Sequence, residues 1–364
     1  MTKRKSSIKK QNHMKIAIDC RLIGSSGIGT FIENVAYYIT LNTTDKFVLI
    51  GNPQQLKNFA HRENCSIVPC SYKPFTIKEL FAFPTKEVNR CDAFFTPNFN
   101  IPFGIHVPIY SMVHDIVFLD ITGINSWIGR LIRSLFIRRA LKISKAIFTV
   151  SYFTRGRILD YFHPSVPIHV VYNGVSKELL QYKSQPEKTE SYIMFLGNLK
   201  KHKGIQTLIK AYNKGRDEGL FNDRLYIVGR LNFRVNDPFI EKLSHDNNPN
   251  IRFITDADNA EVYRLIASAR MLVSPSFYEG FGLTPLEALY LGTPVIVSDI
   301  PAHQEIYRDS PAVFFHTGNA DDLADKISKI KKYKIDAKKW ISDHYSYEKT
   351  AASIMRIIKS DKHA

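Results

Sequence analysis

Long apolar runs are absent from this chain: none approaches the roughly 20 residues that a helix needs to cross a bilayer, so no membrane span is expected. No apolar segment follows the basic N-terminus either. A signal peptide is therefore not expected, and the reading is a cytoplasmic protein. Cysteine is scarce. The four present, Cys20, Cys65, Cys70 and Cys91, have neither the spacing of a zinc site nor the density of a disulfide scaffold, and they read as reduced thiols. Acidic residues are short in supply: 34 Asp and Glu stand against 50 Lys and Arg, for a net charge of +16. That balance implies an anionic partner, and nucleic acid or an anionic membrane surface would each answer to it. No repeat of short period is present, which excludes a solenoid.

What the chain does have is size and a repeated alternation. Its 364 residues, 44% apolar and 23% charged, exceed what one core usually supports, so two soluble domains are expected. Lys3, Arg4, Lys5, Lys9 and Lys10 lie in a polar leader, residues 1–13, which cannot bury apolar surface and is expected to be disordered. A first core strand then begins at Lys15. Apolar strands at 15–19, 47–51, 93–95, 108–113, 146–150 and 168–172 alternate with helical patterns, and the last ends in the turn signal Asn173-Gly174. The polar stretch 176–191 reads as a linker. The pattern restarts with strands at 192–196, 225–228, 251–253, 271–273 and 294–297, and an amphipathic helix is expected at 347–358. Such alternation indicates parallel sheets with helices on both faces, an α/β fold.

The most informative stretch runs from Ser274 to Ser298. It sets Glu279 and Glu287 around a glycine-rich turn, Gly280-Phe-Gly282, that opens a helix. Gly280 and Gly282 allow close approach of backbone to a ligand, Pro285 suits the first helical turn, and the amides from Gly282 onward face an anion with the helix dipole behind them. A carboxylate beside a phosphate site is electrostatically wrong unless it accepts hydrogen bonds from neutral hydroxyls, and a nucleotide sugar supplies those on its ribose and its hexose. Upstream, Phe195-Leu-Gly-Asn-Leu-Lys-Lys-His-Lys-Gly204 ends a strand in glycine and places a basic cluster before a helix, where Lys203 suits the neutralisation of a leaving diphosphate. The loop Gly24 to Thr30 could bring amides to a phosphate or an acceptor, with Ile28 and Gly29 the nearest candidates. His114-Asp115 follows a strand at a position that faces the cleft of a parallel sheet. Asp256-Ala-Asp258 has the form of a metal-binding D-x-D, but Asp258 precedes an amphipathic helix and reads better as its cap. Finally, 125–142 mixes Trp127, Ile128, Leu131, Ile132, Leu135 and Phe136 with four arginines. The ordinary use of such a helix is to pack its apolar stripe on the sheet of its own domain; the composition also suits an anionic membrane surface.

The two-glutamate run resembles the E-x7-E signature of family-4 retaining glycosyltransferases, with Glu279-Gly-Phe-Gly-Leu283, Glu287 and Gly292-Thr-Pro-Val295 at the family spacing. Gly197-Asn-Leu, the His114-Asp115 pair and Asp92-Ala-Phe-Phe-Thr-Pro-Asn-Phe-Asn-Ile-Pro102 are most similar to bacterial mannosyltransferases of surface polysaccharide assembly. The resemblance implies a GT-B fold of two Rossmann-like domains facing a central cleft: an acceptor-side domain at 14–175, a nucleotide-sugar domain at 192–345, and a closing helix at 346–364 that crosses back. It implies Glu279, Lys203 and His114 as catalytic contacts, with Glu287 on the ribose. Asn198, Gly280, Phe281, Gly282, Leu283, Thr284, Ile254, Ile28 and Gly29 would surround the donor, and Phe253 and Ile254 would meet the base through backbone. Asn198 stands where the family usually has an arginine, so compensation by His202 or Lys201 is implied. No catalytic metal and no cofactor are expected; the donor is a substrate, with GDP-mannose the first guess and a UDP-sugar the second. The acceptor would be a saccharide or lipid-linked saccharide, no nucleic acid partner is expected, and attachment to the inner face of the cell membrane is an option. A sugar-nucleotide epimerase of the same architecture and a basic nucleic-acid-binding protein are the competing readings.

Overall fold

Strands that read as continuous apolar runs, buried on both faces, assemble into two wholly parallel sheets. The computed structural model describes residues 13–25, 27–72, 76–123, 126–183, 191–229, 238–246, 248–331 and 333–360. The polar leader expected to be disordered lies, up to residue 12, outside the described residues. The first sheet contains β1 (Lys15–Asp19), β2 (Lys46–Gly51), β3 (Cys65–Pro69), β4 (Ala93–Thr96), β5 (Ile109–Val113), β6 (Ala146–Thr149) and β7 (Ile168–Val170), in the order β3-β2-β1-β4-β5-β6-β7. The second contains β8 (Tyr192–Leu196), β9 (Arg224–Val228), β10 (Ile251–Ile254), β11 (Met271–Ser274), β12 (Val295–Ser298) and β13 (Val313–Phe315), in the order β10-β9-β8-β11-β12-β13. In β1 the pleat sends Ile16 and Ile18 into one apolar cluster and Ala17 into another, so helices cover both faces.

Strand order reverses between β1 and β4 in the first sheet and between β8 and β11 in the second. A crevice opens beyond the carboxyl ends of strands at such a switch point, and ligands of open α/β sheets bind there. The architecture is that of two Rossmann-like units of GT-B type.

Around the expected linker, the structure differs from a plain connector. Ser176 accepts from the Leu179 amide and starts a short helix, Lys177–Gln181, pinned by the buried Leu179; residues 184–190 lie outside the described residues. The helix Tyr347–Ser360 packs along Gly27–Ile39 of the first domain, with Tyr347 edge-on to Phe31 at 6.0 Å and Lys359 paired with Asp45 at 2.5 Å. Gly174 makes this possible, since a Cβ there would sit 2.4 Å from the Tyr347 amide nitrogen. One apolar cluster consequently runs through both domains and the closing helix.

The helix Trp127–Ile143 corrects the packing expectation for its stripe. Only Ile137, Ala140 and Leu141 are buried. Trp127 (73% exposed), Ile128, Leu131, Ile132 and Leu135 (56%) form an outward apolar stripe that continues into the exposed Arg138 and Lys142. The inner face of the helix is made by Ile137, Ala140 and Leu141 in its C-terminal half, while Arg133 and Arg139 lay their guanidinium groups over Phe118 and Phe103.

Candidate functional site

Two chain segments, the loops that follow β11 and β8, meet at the switch point of the second sheet. After β11 the chain makes the turn Ser276–Gly282 and enters the helix Leu283–Leu291. Gly282 caps that helix in the left-handed region (φ 85°), a conformation a side chain would strain, and His303 Nε2 would lie 2.9 Å from any Cβ there. After β8 the chain runs through the exposed Asn198 into the single turn Lys201–Lys203, closed by Gly204. Gly204 is obligatory, because a Cβ would fall 1.8 Å from the Pro275 carbonyl oxygen. The Phe277 amide donates to the His202 carbonyl at 2.8 Å and stitches the two loops together.

That stitch brings Lys203 onto Glu279. Lys203 Nζ stands 2.7 and 2.8 Å from the two Glu279 carboxylate oxygens, and Ser276 Oγ donates to Oε1 at 2.7 Å. Burial pushes the Glu279 carboxyl up, but the charge and hydrogen bond of Lys203 and the Ser276 hydroxyl more than offset it, leaving Glu279 below the usual range and ionised. Sequence reasoning gave the two residues separate tasks; the structure makes them one ion pair.

Glu287, in the second turn of the helix, is in the opposite state. Burial alone raises its carboxyl to about 8. Its electrostatic neighbours are Tyr263, Tyr307 and Tyr347, which are themselves shifted far upward and stay neutral. At neutral pH this carboxyl is largely protonated, so it is poised to gain from donors brought by a ligand.

The other expected contacts are placed as follows. Phe281 turns its side chain into an aromatic cluster with Tyr172 and Tyr345 and offers only backbone to the turn. Leu283 and Thr284 supply the first amides of the helix, which have no acceptor within it. Ile254 ends β10 at the sheet edge with its carbonyl accepting from the Gly229 amide at 3.0 Å. His202 does not supply the compensating charge assigned to it: it is buried beside Lys203 and held near 4, hence neutral, while Lys201 is exposed. Asp258 accepts from the Glu261 amide at 2.8 Å as the cap of its helix.

The first domain reaches the turn through His114. Burial lowers its imidazole to about 4, its Nε2 meets the Pro97 carbonyl at 3.1 Å, and its ring stands edge-on to Phe31 at 5.1 Å. In that tautomer Nε2–H donates and Nδ1 is left as an acceptor. The His114 carbonyl would be 2.4 Å from a Cβ on Gly280, so the glycine is what lets the two domains touch at this turn. Asp115 accepts from the Val117 amide at 3.1 Å, a structural task. Ile28 and Gly29 lie in the first turn of Gly27–Ile39, the helix that carries Phe31; Gly29 is required by the Leu22 carbonyl, 2.4 Å from a would-be Cβ.

Several residues here carried no sequence signal. Ser151 Oγ donates to the Gly280 carbonyl at 2.6 Å, Tyr307 donates its hydroxyl to the Gly282 carbonyl, and Glu305 reaches across to the first domain. Their separations along the chain, from 25 residues to more than 100, put them beyond any local pattern.

Comparison with known proteins agrees with this geometry. A model of group 1 glycosyl transferases matches residues 176–347, and one of glycosyltransferase family 4 matches 88–179. The O-antigen chain mannosyltransferase RfbU of Salmonella typhimurium is 29% identical over 223 residues, 57% of this chain and 60% of RfbU. The chain thus matches less than two thirds of that relative's length. Sucrose-phosphate synthase of Thermosynechococcus elongatus superposes with a TM-score of 0.74 at 16% identity, covering 96% of this chain and 99% of the other. Anabaena HepE, in complex with UDP and glucose, does so at 0.73 and 15%, covering 96% and 100%. At that identity the likeness establishes the fold. Matched by the two models over residues 88–347 and built on the two-sheet architecture above, the chain has the GT-B fold and is similar to group 1 and family-4 glycosyltransferases, bacterial O-antigen mannosyltransferases among them.

Proposed function

We propose that this protein is a retaining hexosyltransferase that moves a sugar, mannose as the first candidate, from a nucleotide donor to a saccharide or lipid-linked saccharide of surface polysaccharide synthesis. The observation that carries the reading is the pairing of an ionised Glu279–Lys203 couple with a protonated Glu287 around one helix N-terminus, directly beneath His114. Glu287 would take the ribose hydroxyls, Glu279 the sugar hydroxyls, and the amides from Gly280 to Thr284 the diphosphate. Lys203 would add charge where the leaving group gains it. His114, neutral, offers an acceptor to a sugar hydroxyl. Transfer on one face would break the bond from the anomeric carbon to the diphosphate oxygen, form the bond to the acceptor oxygen, and pass the acceptor proton to the leaving phosphate. GDP-mannose is the first donor and a UDP-sugar the second. Release of nucleotide from a panel of GDP-, UDP- and dTDP-sugars, with the product anomer read by NMR, tests donor and stereochemistry. Turnover is expected to survive EDTA; loss restored by manganese would reinstate Asp256 and Asp258 as ligands.

The acceptor side supports a membrane-facing reading. No helix among the described residues is long and apolar enough to cross a bilayer, yet Trp127 to Leu135 present an exposed apolar stripe flanked by cations. Arg130 bonds the Leu119 carbonyl at 3.0 Å, which ties this helix to the segment that follows His114-Asp115. A lipid-linked acceptor would then meet the cleft from the surface on which the helix lies. Each basic residue near an anionic surface contributes about 1 kcal/mol, screened over about 8 Å at physiological salt. Sedimentation with anionic vesicles at low salt is expected to recover the protein with the lipid. Leu131→Ser with Leu135→Ser should abolish this, and deletion of residues 1–13 should not. Equal recovery in the supernatant with anionic and neutral vesicles would reject the surface.

A further inference from the structure

We propose that Glu305 is a positioning residue, which holds the donor turn against the acceptor-side domain and thereby sets the alignment for transfer; this rests on the glycosyl-transfer reading above. Glu305 lies on the helix Pro301–Tyr307 of the second domain. Its carboxylate oxygens accept the backbone amides of Tyr152 at 2.7 Å and Phe153 at 2.8 Å, and Oε1 also meets the Tyr172 hydroxyl at 3.1 Å. All three partners belong to the first domain.

The two amides are the opening ones of the helix Tyr152–Phe162, which have no acceptor within the helix and sit at the positive end of its dipole. The third, that of Thr154, is taken by Ser151 Oγ at 3.1 Å. The capping of this helix is therefore shared between its own serine and a carboxylate from the other domain. The same Ser151 hydroxyl donates to the Gly280 carbonyl, and the Phe153 ring stands 5.4 Å from that of Tyr278. One helix N-terminus thus grips the turn at residues 278 and 280, on either side of Glu279.

The Pro301–Tyr307 helix completes the arrangement from below. Two residues after Glu305, the Tyr307 hydroxyl bonds the Gly282 carbonyl. Glu305 fixes this helix to the first domain while Tyr307 fixes it to the donor turn, so the position of Glu279 relative to His114 depends on a carboxylate that touches neither. Misplacement of reacting groups by about 1 Å can cost roughly a hundredfold in rate.

The test uses the full chain with Glu305→Gln, which keeps the shape but removes the charge and one acceptor. Turnover at saturating donor and acceptor is expected to fall roughly ten- to a hundredfold, while the affinities for GDP and UDP by calorimetry stay within about threefold of the parent. Hydrogen exchange in the peptide spanning residues 278–286 is expected to accelerate. Ser151→Ala, which breaks the second grip, should give the same signature with a smaller loss, and it stands in if Glu305→Gln does not fold. A variant with a lower melting temperature but parental turnover and parental exchange in that peptide would overturn the proposal and leave Glu305 an interface staple. If the parent turns over no nucleotide sugar, the transfer reading fails by itself, and the exchange measurement still decides whether Glu305 holds the turn.

Discussion

Lys203→Ala is expected to lower turnover by about a hundred- to a thousandfold, the scale on which preorganised charge at a developing anion is lost. Two effects combine. On the proposed transfer the diphosphate would lose a cation where negative charge accumulates, and Glu279 loses the partner that keeps it ionised. Without Lys203, burial is the largest influence left on that carboxyl, opposed by the neighbouring His303 and by one hydrogen bond from Ser276. The Glu279 pKa then rises. The acid limb of the pH–rate profile, set in the parent by a carboxyl below its ordinary value, should accordingly move to higher pH in the variant. Lys203→Arg retains the charge and should hold the limb in place. The profile of kcat/KM for the three proteins, measured with the best donor of the panel, checks the prediction. An unmoved limb would dissociate Glu279 from Lys203 in function.

Glu287 is expected to make nucleotide affinity depend on pH. In the free protein its carboxyl is raised from 4.5 to about 8 by burial, so at pH 7 it is mostly protonated. Hydroxyl donors from a ribose stabilise the charged form and bring the pKa down, so binding releases a proton between the two values. Affinity for GDP or UDP should therefore rise as pH increases toward about 8, and level off above it. The groups that face Glu287, Tyr263 on one helix, Tyr307 on another and Tyr347 on the closing helix, are all shifted upward and do not titrate in this window. Glu287→Gln should flatten the dependence and weaken binding by about 1.5 to 3 kcal/mol for each charge-assisted hydrogen bond lost. Calorimetry in buffers of different ionisation enthalpy measures the proton directly. Parental affinity and parental proton release in a folded Gln variant would remove Glu287 from the nucleotide site.

Much of this was legible locally. Eleven strands read as apolar runs because a parallel strand is buried on both faces, and the pattern needs no partner to be visible. The two strands not read, Cys65–Pro69 and Val313–Phe315, are the edges at β3 and β13, where half-buried positions dilute the run. The two-glutamate turn was legible for a similar reason: glycines at 280 and 282 and a proline at 285 encode a backbone shape within a few residues.

By itself, then, the sequence determined a doubly wound α/β chain in two halves, the turn that opens a helix at Leu283, and the identity of the groups lining it. Their ionisation was decided only by tertiary structure. Glu279 and Glu287 are the same residue type eight positions apart, yet one is ionised because a loop 76 residues away delivers Lys203, and the other is protonated because burial raises it. His202 is neutral because burial against a neighbouring loop, and then the charge of Lys203 beside it, disfavour its protonated form. The exposure of Trp127 to Leu135 and the grip of Glu305 on Tyr152 and Phe153 likewise depend on which surfaces meet when the domains close. Apolar patterning specifies that a face seeks cover; only the packed fold decides which faces receive it, and desolvation, set by that same packing, then assigns each charge.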